Sequence, residues 1–406
     1  MPTFTELFER LDPDNNIRGK QFERICKWYL EHDPFYASQL AHVWLWKDWP
    51  GRWYPKKEAG IDLVAQHRDG SLWAIQAKAY EEAYSVTKGD VDKFLSESNR
   101  KDDKTGRPLF AYRLLLATTR KQLGSTARNT INAQSIPVGY RSRTELDAVE
   151  IDWPASPSDL RARRLPPKKP KGHWAYQGEA MNNVVNGFRQ ADRGKLIMAC
   201  GTGKTLTALF IREKLAAQRT LVLMPSLQLM KQTIGEWTRN KTVDFDFLPV
   251  CSDETVSKDD EDMPVSSTSD LGMPVTTDPE KIAAFLRRRS GPVVVFATYQ
   301  SSPEIAKAYR LGRVPAFDLA IADFSSRGNS VRHVRQPAQM RLCRTPGRYC
   351  SRHTARVTEQ RPGEGGGWPR EHLSTSSRQR TTRTIRRASR YSKSRPPRST
   401  HAVTAG

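Results

Sequence analysis

The amino-acid sequence predicts an α/β protein with two folded domains followed by a disordered basic tail. Within residues 1–323, short apolar runs alternate with amphipathic helical segments, which is typical of helices packed on sheets. A proline-rich basic stretch at 154–172 divides these residues into two blocks and predicts a linker. Beyond residue 323 the chain contains 18 Arg and one Lys but only three Glu and no Asp, so we expect residues 324–406 to be disordered.

Charge and hydropathy narrow the class of protein. The 406 residues carry a net charge of +22, of which +16 belongs to the tail, so the two blocks are only mildly basic. The N-terminus is too charged for a signal peptide, and no apolar run approaches the roughly 20 residues of a membrane helix. The five cysteines lack the spacing of a zinc site, so we expect reduced thiols in a soluble cytoplasmic protein.

The first block, residues 1–153, begins with an amphipathic helix and continues with strands. Phe22, Ile25, Cys26, Tyr29 and Leu30 recur at helical spacing. The runs IDLVA, LWAIQAK and RLLLATT predict strands.

The aromatic stretch HVWLWKDWPGRWYP in this block has two interpretations. Trp44, Trp46 and Trp49 are either a platform on which nucleic-acid bases stack or a cluster packed around a loop. Packing is the more common role of such residues, and the sequence leaves both open.

Two of these strands carry a candidate metal site. Asp62 lies on the first strand, an Arg-Asp-Gly turn follows, and Gln76 and Lys78 share one face of the next strand because side chains alternate along a strand. Carboxylate and amide oxygens suit Mg²⁺, and a lysine offsets charge that develops during phosphodiester cleavage. Glu23 and Glu58 are further candidate ligands. The spacing alone is weak evidence, because this pattern is more often a solvated β-hairpin.

The second block, residues 173–323, alternates four strands with helical segments. The strands KLIMAC, TLVLMP, PVVVFAT and FDLAIAD are nearly continuously apolar, which predicts a parallel sheet covered on both faces. We expect the acidic, polar stretch at 252–270 to be a surface loop.

A glycine-rich turn between a strand and a helix predicts a phosphate site in this block. In KLIMACGTGKT, glycines let backbone N–H groups surround phosphate oxygens at a helix N-terminus. The lysine is placed to reach the β- and γ-phosphates, and the threonine to hold Mg²⁺. Met198 stands where the strict pattern GxxxxGKS/T has glycine. The expected nucleotide-binding residues are Gly201, Thr202, Gly203, Lys204 and Thr205.

This loop, AxxGxGKT, resembles motif I of superfamily 2 helicases and translocases, which lack that first glycine. The resemblance implies a RecA-like lobe that uses ATP and Mg²⁺, an adenine contact from Gln177, and a Mg²⁺ contact from Asp323. It also implies DNA-backbone contacts at two strand ends, LMPS and ATYQ. Their residues are Pro225, Ser226, Thr298, Tyr299 and Gln300.

The first block resembles the Mrr-like branch of PD-(D/E)XK restriction endonucleases, in which GID is followed by QxK. That resemblance implies that Asp62, Gln76 and Lys78 are catalytic. Together the two blocks are similar to the N-terminal part of type ISP restriction–modification enzymes, which translocate along double-stranded DNA with ATP and cut it. Those enzymes also carry a second motor lobe, a methyltransferase and a target-recognition domain, and no NPPY/F methyltransferase motif occurs here.

The sequence departs from that family directly after Asp323. Superfamily 2 motors continue with glutamate, which activates the attacking water, whereas Phe324 follows here. We hypothesise that the tail is a frameshifted reading; the alternative is a basic arm that binds nucleic acid. We therefore expect a fragment of an ATP-dependent restriction endonuclease whose motor does not hydrolyse ATP. The competing hypothesis is a non-catalytic DNA-binding protein dominated by its tail.

Overall fold

The computed structural model describes residues 2–53, 60–161, 170–252, 267–288, 291–324 and 338–343. These residues form two sheets with their helices, both within one compact unit. Among the described helices, none is both long and apolar enough to cross a lipid bilayer.

The first domain is built on a five-stranded mixed sheet of order β1-β2-β3-β4-β5. Strands β1, β2 and β3 are antiparallel neighbours, and β3, β4 and β5 are parallel neighbours. The strands are β1 (Leu40–Leu45), β2 (Leu63–His67), β3 (Leu72–Lys78), β4 (Phe110–Ala117) and β5 (Val138–Arg141). The helices are α1 (Phe4–Glu9), α2 (Asn15–His32), α3 (Pro34–Ala37), α4 (Lys88–Glu97), α5 (Ser125–Asn132) and α6 (Arg143–Asp147).

Helix α2 is the predicted amphipathic helix, and it packs on this sheet. The Asp14 side chain caps its N-terminus by accepting hydrogen bonds from the backbone of Asn16 and Ile17. Its predicted apolar face is buried, and the helix contacts β1 and β3. The Lys27 ammonium group donates to the Val43 carbonyl at 2.7 Å and fixes α2 against β1.

The tryptophans of the aromatic stretch pack against one another, which confirms the packing interpretation for two of the three. Trp46 and Trp49 are buried with ring centroids 5.5 Å apart, and Trp49 lies 5.9 Å from Phe110. Trp44 is only partly buried, and its ring is tilted against that of His42 with centroids 5.4 Å apart.

The second domain is built on a six-stranded sheet of order β6-β11-β10-β7-β9-β8. The four predicted strands are confirmed as β6, β7, β9 and β10, and β10 extends to Phe324. The strands are β6 (Arg193–Met198), β7 (Arg219–Met224), β8 (Asp246–Val250), β9 (Val293–Thr298), β10 (Leu319–Phe324) and β11 (Ala338–Cys343). The helices are α7 (Ala175–Gly187), α8 (Lys204–Lys214), α9 (Leu227–Asn240), α10 (Pro279–Leu286) and α11 (Ser302–Arg310).

Strand β11 corrects one expectation about the tail. Residues 338–343 pair antiparallel with both β10 and β6, so these six residues are not disordered. The sequence analysis missed them because a strand this short within an arginine-rich stretch shows no sustained period. The rest of the expected tail lies outside the described residues.

The polar stretch expected to form a surface loop is also corrected, at its C-terminal end. Residues 253–266 lie outside the described residues, but Ser267, Ser269, Asp270 and Leu271 are buried. They belong to a short 3-10 helix whose N-cap, Ser267, accepts a hydrogen bond from the Ser269 backbone. This helix lies against β5 of the first domain.

A buried polar cluster joins the two domains at this point. Arg141 at the end of β5 donates to the Tyr36 hydroxyl and to the Leu271 carbonyl, both at 2.9 Å. The Tyr36 hydroxyl in turn donates to the Gly272 carbonyl at 2.9 Å. Arg128 forms hydrogen bonds to both carboxylate oxygens of Asp270 at 3.1 and 3.0 Å. Two side chains from one domain therefore fix the backbone of the other.

Lys231 of α9 completes this cluster from the second domain. Its ammonium group pairs with Glu145 of α6 and donates to the Asp270 carbonyl at 2.6 Å. Burial alone raises the pKa of Glu145, but the neighbouring Lys231 and Arg141 outweigh it and hold that pKa below its usual value. The carboxylate is therefore charged, and each charge at the interface has an opposite partner.

Replacing Gly272 with alanine should loosen this interface. Gly272 has φ +63°, and a Cβ there would lie 2.7 Å from the Arg141 guanidinium carbon. We expect Gly272→Ala to lower the thermal unfolding midpoint by several degrees, because strain and a clash combine. Gly312→Ala is the matched control, since Gly312 has φ +79° with nothing within 4 Å of the added Cβ. Equal midpoints for the two variants, measured by differential scanning fluorimetry, would contradict the close approach.

Candidate functional site

Asp62 lies directly before β2, where the backbone of β3 holds its carboxylate. The Asp62 N–H donates to the Ile75 carbonyl at 3.0 Å, and the Ala77 N–H donates to Asp62 Oδ2 at 2.8 Å. Ala77 is the residue between Gln76 and Lys78. The three predicted catalytic residues are therefore brought together by β2–β3 pairing.

The pKa of Asp62 is shifted by burial and by the charged groups around it. The pKa of Asp62 is raised to about 6, chiefly by burial and also by the Glu23 carboxylate. The hydrogen bond from Ala77 and the Lys78 and Lys20 ammonium groups act in the opposite direction. Glu23 thus lies close enough to Asp62 for the two carboxylates to repel each other, which a bound cation would relieve.

The Gln76 side chain has a buried amide oxygen that suits a cation. Its side chain is 3% exposed, and its Nε2 donates to the Gly60 carbonyl at 3.1 Å. Its Oε1 is buried without a hydrogen-bond partner. An amide oxygen left this way costs free energy, and a hard cation is a natural partner for it.

Helix α2 contributes two further groups of the candidate nuclease site. Glu23 forms an ion pair with Lys20 at 3.0 Å, and Cys26 lies one turn later. Burial, then Asp62 and Glu23, raise the pKa of Cys26 well above its usual value, so its thiol is protonated. Glu58, the other expected ligand, lies outside the described residues.

Acidic ligands alone do not make a metal site here. Within the described parts of the chain, no group of three or more His, Cys, Asp and Glu side chains is placed to hold a metal ion. The set of Asp62, Glu23 and the Gln76 amide therefore depends on its neutral member.

Two threonines that sequence reasoning missed anchor the segment after Lys78. The Thr118 N–H donates to the Lys78 carbonyl at 3.0 Å, and its hydroxyl donates to the Tyr80 carbonyl at 2.6 Å. The Thr119 hydroxyl donates to the Glu82 carbonyl at 3.1 Å. The available signal was a pair of polar residues directly after the apolar run RLLLA.

The glycine-rich loop has the geometry expected for phosphate binding. Gly201 and Gly203 have φ +78° and +75°, and Gly203 is the N-cap of α8. Such a conformation turns successive N–H groups inward around an anion. Lys204 begins α8, and its ammonium group lies 3.5 Å from the Ala199 carbonyl across the loop. The residues present fit a nucleotide phosphate.

Gln177 braces this loop in the structure. It is buried, and its Nε2 donates to the carbonyls of Thr202 and Gly203 at 3.2 and 3.4 Å. Its Oε1 accepts from the Trp174 N–H at 2.9 Å. The side chain expected to contact adenine is therefore engaged with the loop backbone.

The expected DNA contacts differ in accessibility. Pro225 is partly exposed, and Ser226 caps α9 by accepting from the Leu229 N–H at 3.3 Å. Gln300 is exposed. Thr298 is fully buried, and its hydroxyl donates to Ser301 Oγ at 3.1 Å, so direct DNA contact at this residue is corrected to a structural role.

Asp323 lies near the end of β10, and one expected DNA contact is next to it. The Tyr299 hydroxyl donates to the Asp323 carbonyl at 3.0 Å. This bond ties the end of β10 to the residue that follows β9.

Comparison with known families covers both domains. Residues 31–161 match Mrr_cat_2, described as a restriction endonuclease. Residues 172–329 match ResIII, described as the type III restriction enzyme res subunit.

Proteins named "Probable helicase" in African swine fever virus are also similar. One is 32% identical over 148 residues, which are 36% of this chain and 15% of that protein. Its counterpart in a Kenyan pig isolate is 26% identical over 235 residues, covering 52% and 25%.

One solved structure is similar to this chain across both domains. The ATP-dependent type ISP restriction–modification enzyme LlaBIII bound to DNA is 31% identical, with a TM-score of 0.63. The match covers 78% of this chain and 20% of LlaBIII, so this chain spans about a fifth of that enzyme. The chain therefore combines an Mrr-type restriction endonuclease domain with a ResIII helicase domain, and it is related to the type ISP restriction–modification enzymes.

Proposed function

We propose that this protein is a fragment of an ATP-dependent DNA restriction endonuclease. Its first domain cleaves double-stranded DNA with Mg²⁺, and its second domain binds ATP and Mg²⁺ without efficient hydrolysis. The family matches and the likeness to a DNA-bound type ISP enzyme support this reaction class. We place it in the cytoplasm, where such an enzyme meets its DNA.

One observation carries the nuclease proposal: the buried, unpartnered Oε1 of Gln76, whose chain neighbour Ala77 donates its N–H to the Asp62 carboxylate. With its Nε2 held by Gly60, the amide presents oxygen rather than nitrogen to the site. Asp62, Gln76 and Glu23 would hold Mg²⁺. When bound, Mg²⁺ supplies a Lewis acid that activates water near neutral pH. Lys78 orients that water and offsets the negative charge that develops on the phosphate.

The second domain supports nucleotide binding through backbone geometry. The left-handed glycines at 201 and 203 and the N-terminus of α8 supply N–H donors for phosphate oxygens. Lys204 would exchange its long contact with Ala199 for a phosphate, and Thr205 and Asp323 would hold Mg²⁺. We propose that Gln177 supports the loop and contacts adenine only if its bonds to Thr202 and Gly203 rearrange.

Phe324 argues against efficient ATP hydrolysis. It directly follows Asp323 in β10, at the position where helicase-type motors carry the glutamate that activates water. A phenyl ring accepts no proton.

We expect divalent-metal affinity to follow the charge at residue 76. Gln76→Ala should weaken Mn²⁺ binding about tenfold, because it removes a ligand oxygen, and Gln76→Glu should strengthen it by a similar factor. Isothermal titration calorimetry measures both. Gln66→Glu on β2 adds the same charge elsewhere in the sheet and should leave affinity within about twofold. Equal affinities in all four proteins would refute the site.

Plasmid nicking tests the chemistry separately. The full chain should nick supercoiled DNA with Mg²⁺, and Lys78→Ala should reduce the rate about a hundredfold or more while Mn²⁺ binding persists. Metal binding that depends on residue 76, without nicking by the unaltered protein under Mg²⁺ or Mn²⁺, would leave a metal site and reject cleavage.

The brace between Gln177 and the loop predicts a difference between two glycines. A Cβ on Gly203 would lie 2.5 Å from Gln177 Nε2, whereas nothing lies within 4 Å of one on Gly201. Both have similar positive φ, so Gly203→Ala should weaken binding of a fluorescent ATP analogue more than Gly201→Ala does. Adding Gln177→Ala to Gly203→Ala should recover part of the loss. A double variant no better than Gly203→Ala would show that the clash does not matter.

We expect ATP hydrolysis near background, with or without DNA, even where the fluorescent analogue binds. A phosphate-release assay measures the hydrolysis rate with and without added duplex DNA. Turnover stimulated by DNA would show that another residue replaces the missing glutamate.

A further inference from the structure

Among the strands that the structure describes, β6, which precedes the glycine-rich loop, has one neighbour in its sheet. β6 ends at Met198, directly before the glycine-rich loop, and its neighbour in the sheet is β11. β11 pairs on its other side with β10, which carries Asp323. The two expected halves of the nucleotide site, the loop and the aspartate, are therefore connected across β11.

The register places the N-terminal half of β11 at this site. Ala338 is opposite Met198, the last residue before the loop segment. Met340 is opposite Asp323, and Gln339 is opposite Phe324. Three consecutive residues of β11 thus set the spacing between the end of β6 and the end of β10.

The gap that β11 fills is one strand wide. Neighbouring strands lie about 4.8 Å apart, so β6 and β10 stand roughly 10 Å apart with one strand between them. Since β11 is antiparallel to both, β6 and β10 run in the same direction as the remaining strands. Unpaired edges on both sides of an empty gap would leave two rows of N–H and C=O groups without partners.

This segment lies outside the regions that match known families, which end at residue 329. We propose that the facing edges of β6 and β10 form a strand-acceptor surface, and that residues 338–343 of the same chain are its occupant. By completing the sheet, the segment holds the phosphate loop in place relative to Asp323. The consequence for nucleotide binding rests on the proposed function; the strand insertion does not.

The proposal changes how tail deletions are interpreted. Removing residues 324–406 would take away β11 together with 18 arginines. Weaker DNA or nucleotide binding by such a deletion would therefore not assign the effect to basic charge. Point substitutions within β11 separate the two roles.

Cross-linking tests the register directly. Cys343 is opposite Arg193 in β6 and opposite Ala320 in β10. Opposed residues of antiparallel strands have Cα separations of about 4.5–5.5 Å, within the range that a disulfide spans. In the full chain, Arg193→Cys and, separately, Ala320→Cys should each link to Cys343 under oxidised glutathione, as identified by peptide mass spectrometry. Gly194→Cys is opposite Leu342 rather than Cys343 and should link far less.

Hydrogen exchange tests whether the stability of β6 depends on its pairing with β11. Met340→Pro removes a backbone donor from a strand paired on both sides, whereas Met340→Ala keeps it. Amides of residues 193–198 should exchange about tenfold faster in the proline variant than in the alanine variant. Amides of β2 and β3 should be unchanged, which shows that the first domain remains folded. Affinity for the fluorescent ATP analogue should fall about tenfold in the proline variant only.

Each result decides a part of the proposal. No link from residue 193 or 320 to Cys343, or equal exchange of residues 193–198 in the two variants, would overturn the strand insertion. Faster exchange with unchanged analogue affinity would reject the role in nucleotide binding. If the unaltered protein binds no analogue, the proposed nucleotide function fails, while the cross-links and the exchange still judge the strand.

Discussion

Arg141 is the side chain on which the arrangement of the two domains depends. It is buried, and it donates to Tyr36, Glu145 and the carbonyl of Leu271. Burial alone lowers the pKa of Arg141, but Tyr36, Glu145 and Tyr29 outweigh it and hold the guanidinium charged. Removing one partner from such a buried group typically costs about 3–5 kcal/mol, because the other charge is left unpaired. The cluster therefore specifies one docking geometry, which hydrophobic contact alone would leave less defined.

Helix α2 connects this interface to the proposed nuclease site. The helix carries Glu23 near Asp62, and Tyr29, two turns later, packs against Tyr36 with ring centroids 5.4 Å apart. Tyr36 is the residue that Arg141 and Gly272 contact. A single helix thus spans from the proposed metal ligands to the domain interface. The residues proposed for the nuclease lie on strands and this helix, whereas those proposed to bind phosphate lie on a loop that Gln177 supports by hydrogen bonds.

The elements that the sequence predicted well are those specified by local patterns. The strands LWAIQAK and VVVFAT and the glycine loop each carry their own periodicity or turn chemistry, and the structure has them as expected. The same holds for bringing Asp62 to Gln76, because a short hairpin fixes the register. The unsatisfied oxygen of Gln76 was not predictable, since it depends on which carbonyl captures the amide nitrogen.

The features that the sequence did not predict depend on contacts between residues distant in the chain. Asp270 lies in a stretch whose composition is that of a loop. Its burial is favourable partly because Arg128, 142 residues away in sequence, pairs with its carboxylate. β11 alternates apolar and polar amino acids in AQMRLC, a signal too short to outweigh its surroundings. Its partners come from distant strands, so pairing rather than propensity decides its structure. Thr298 follows a motif-like pattern, but its burial depends on the packing of the strand end.

The contact between the 3-10 helix and β5 has a consequence for how the first domain behaves alone. β5 is the last strand of its sheet, and a Cβ on Gly139 would lie 3.0 Å from the Cα of Gly272. The second domain thus covers the border strand of the first. Released from it, the endonuclease domain would present an open strand with an uncovered arginine and tyrosine beside it, a surface prone to self-association and aggregation. We therefore expect this domain to self-associate more readily alone than within the joined chain.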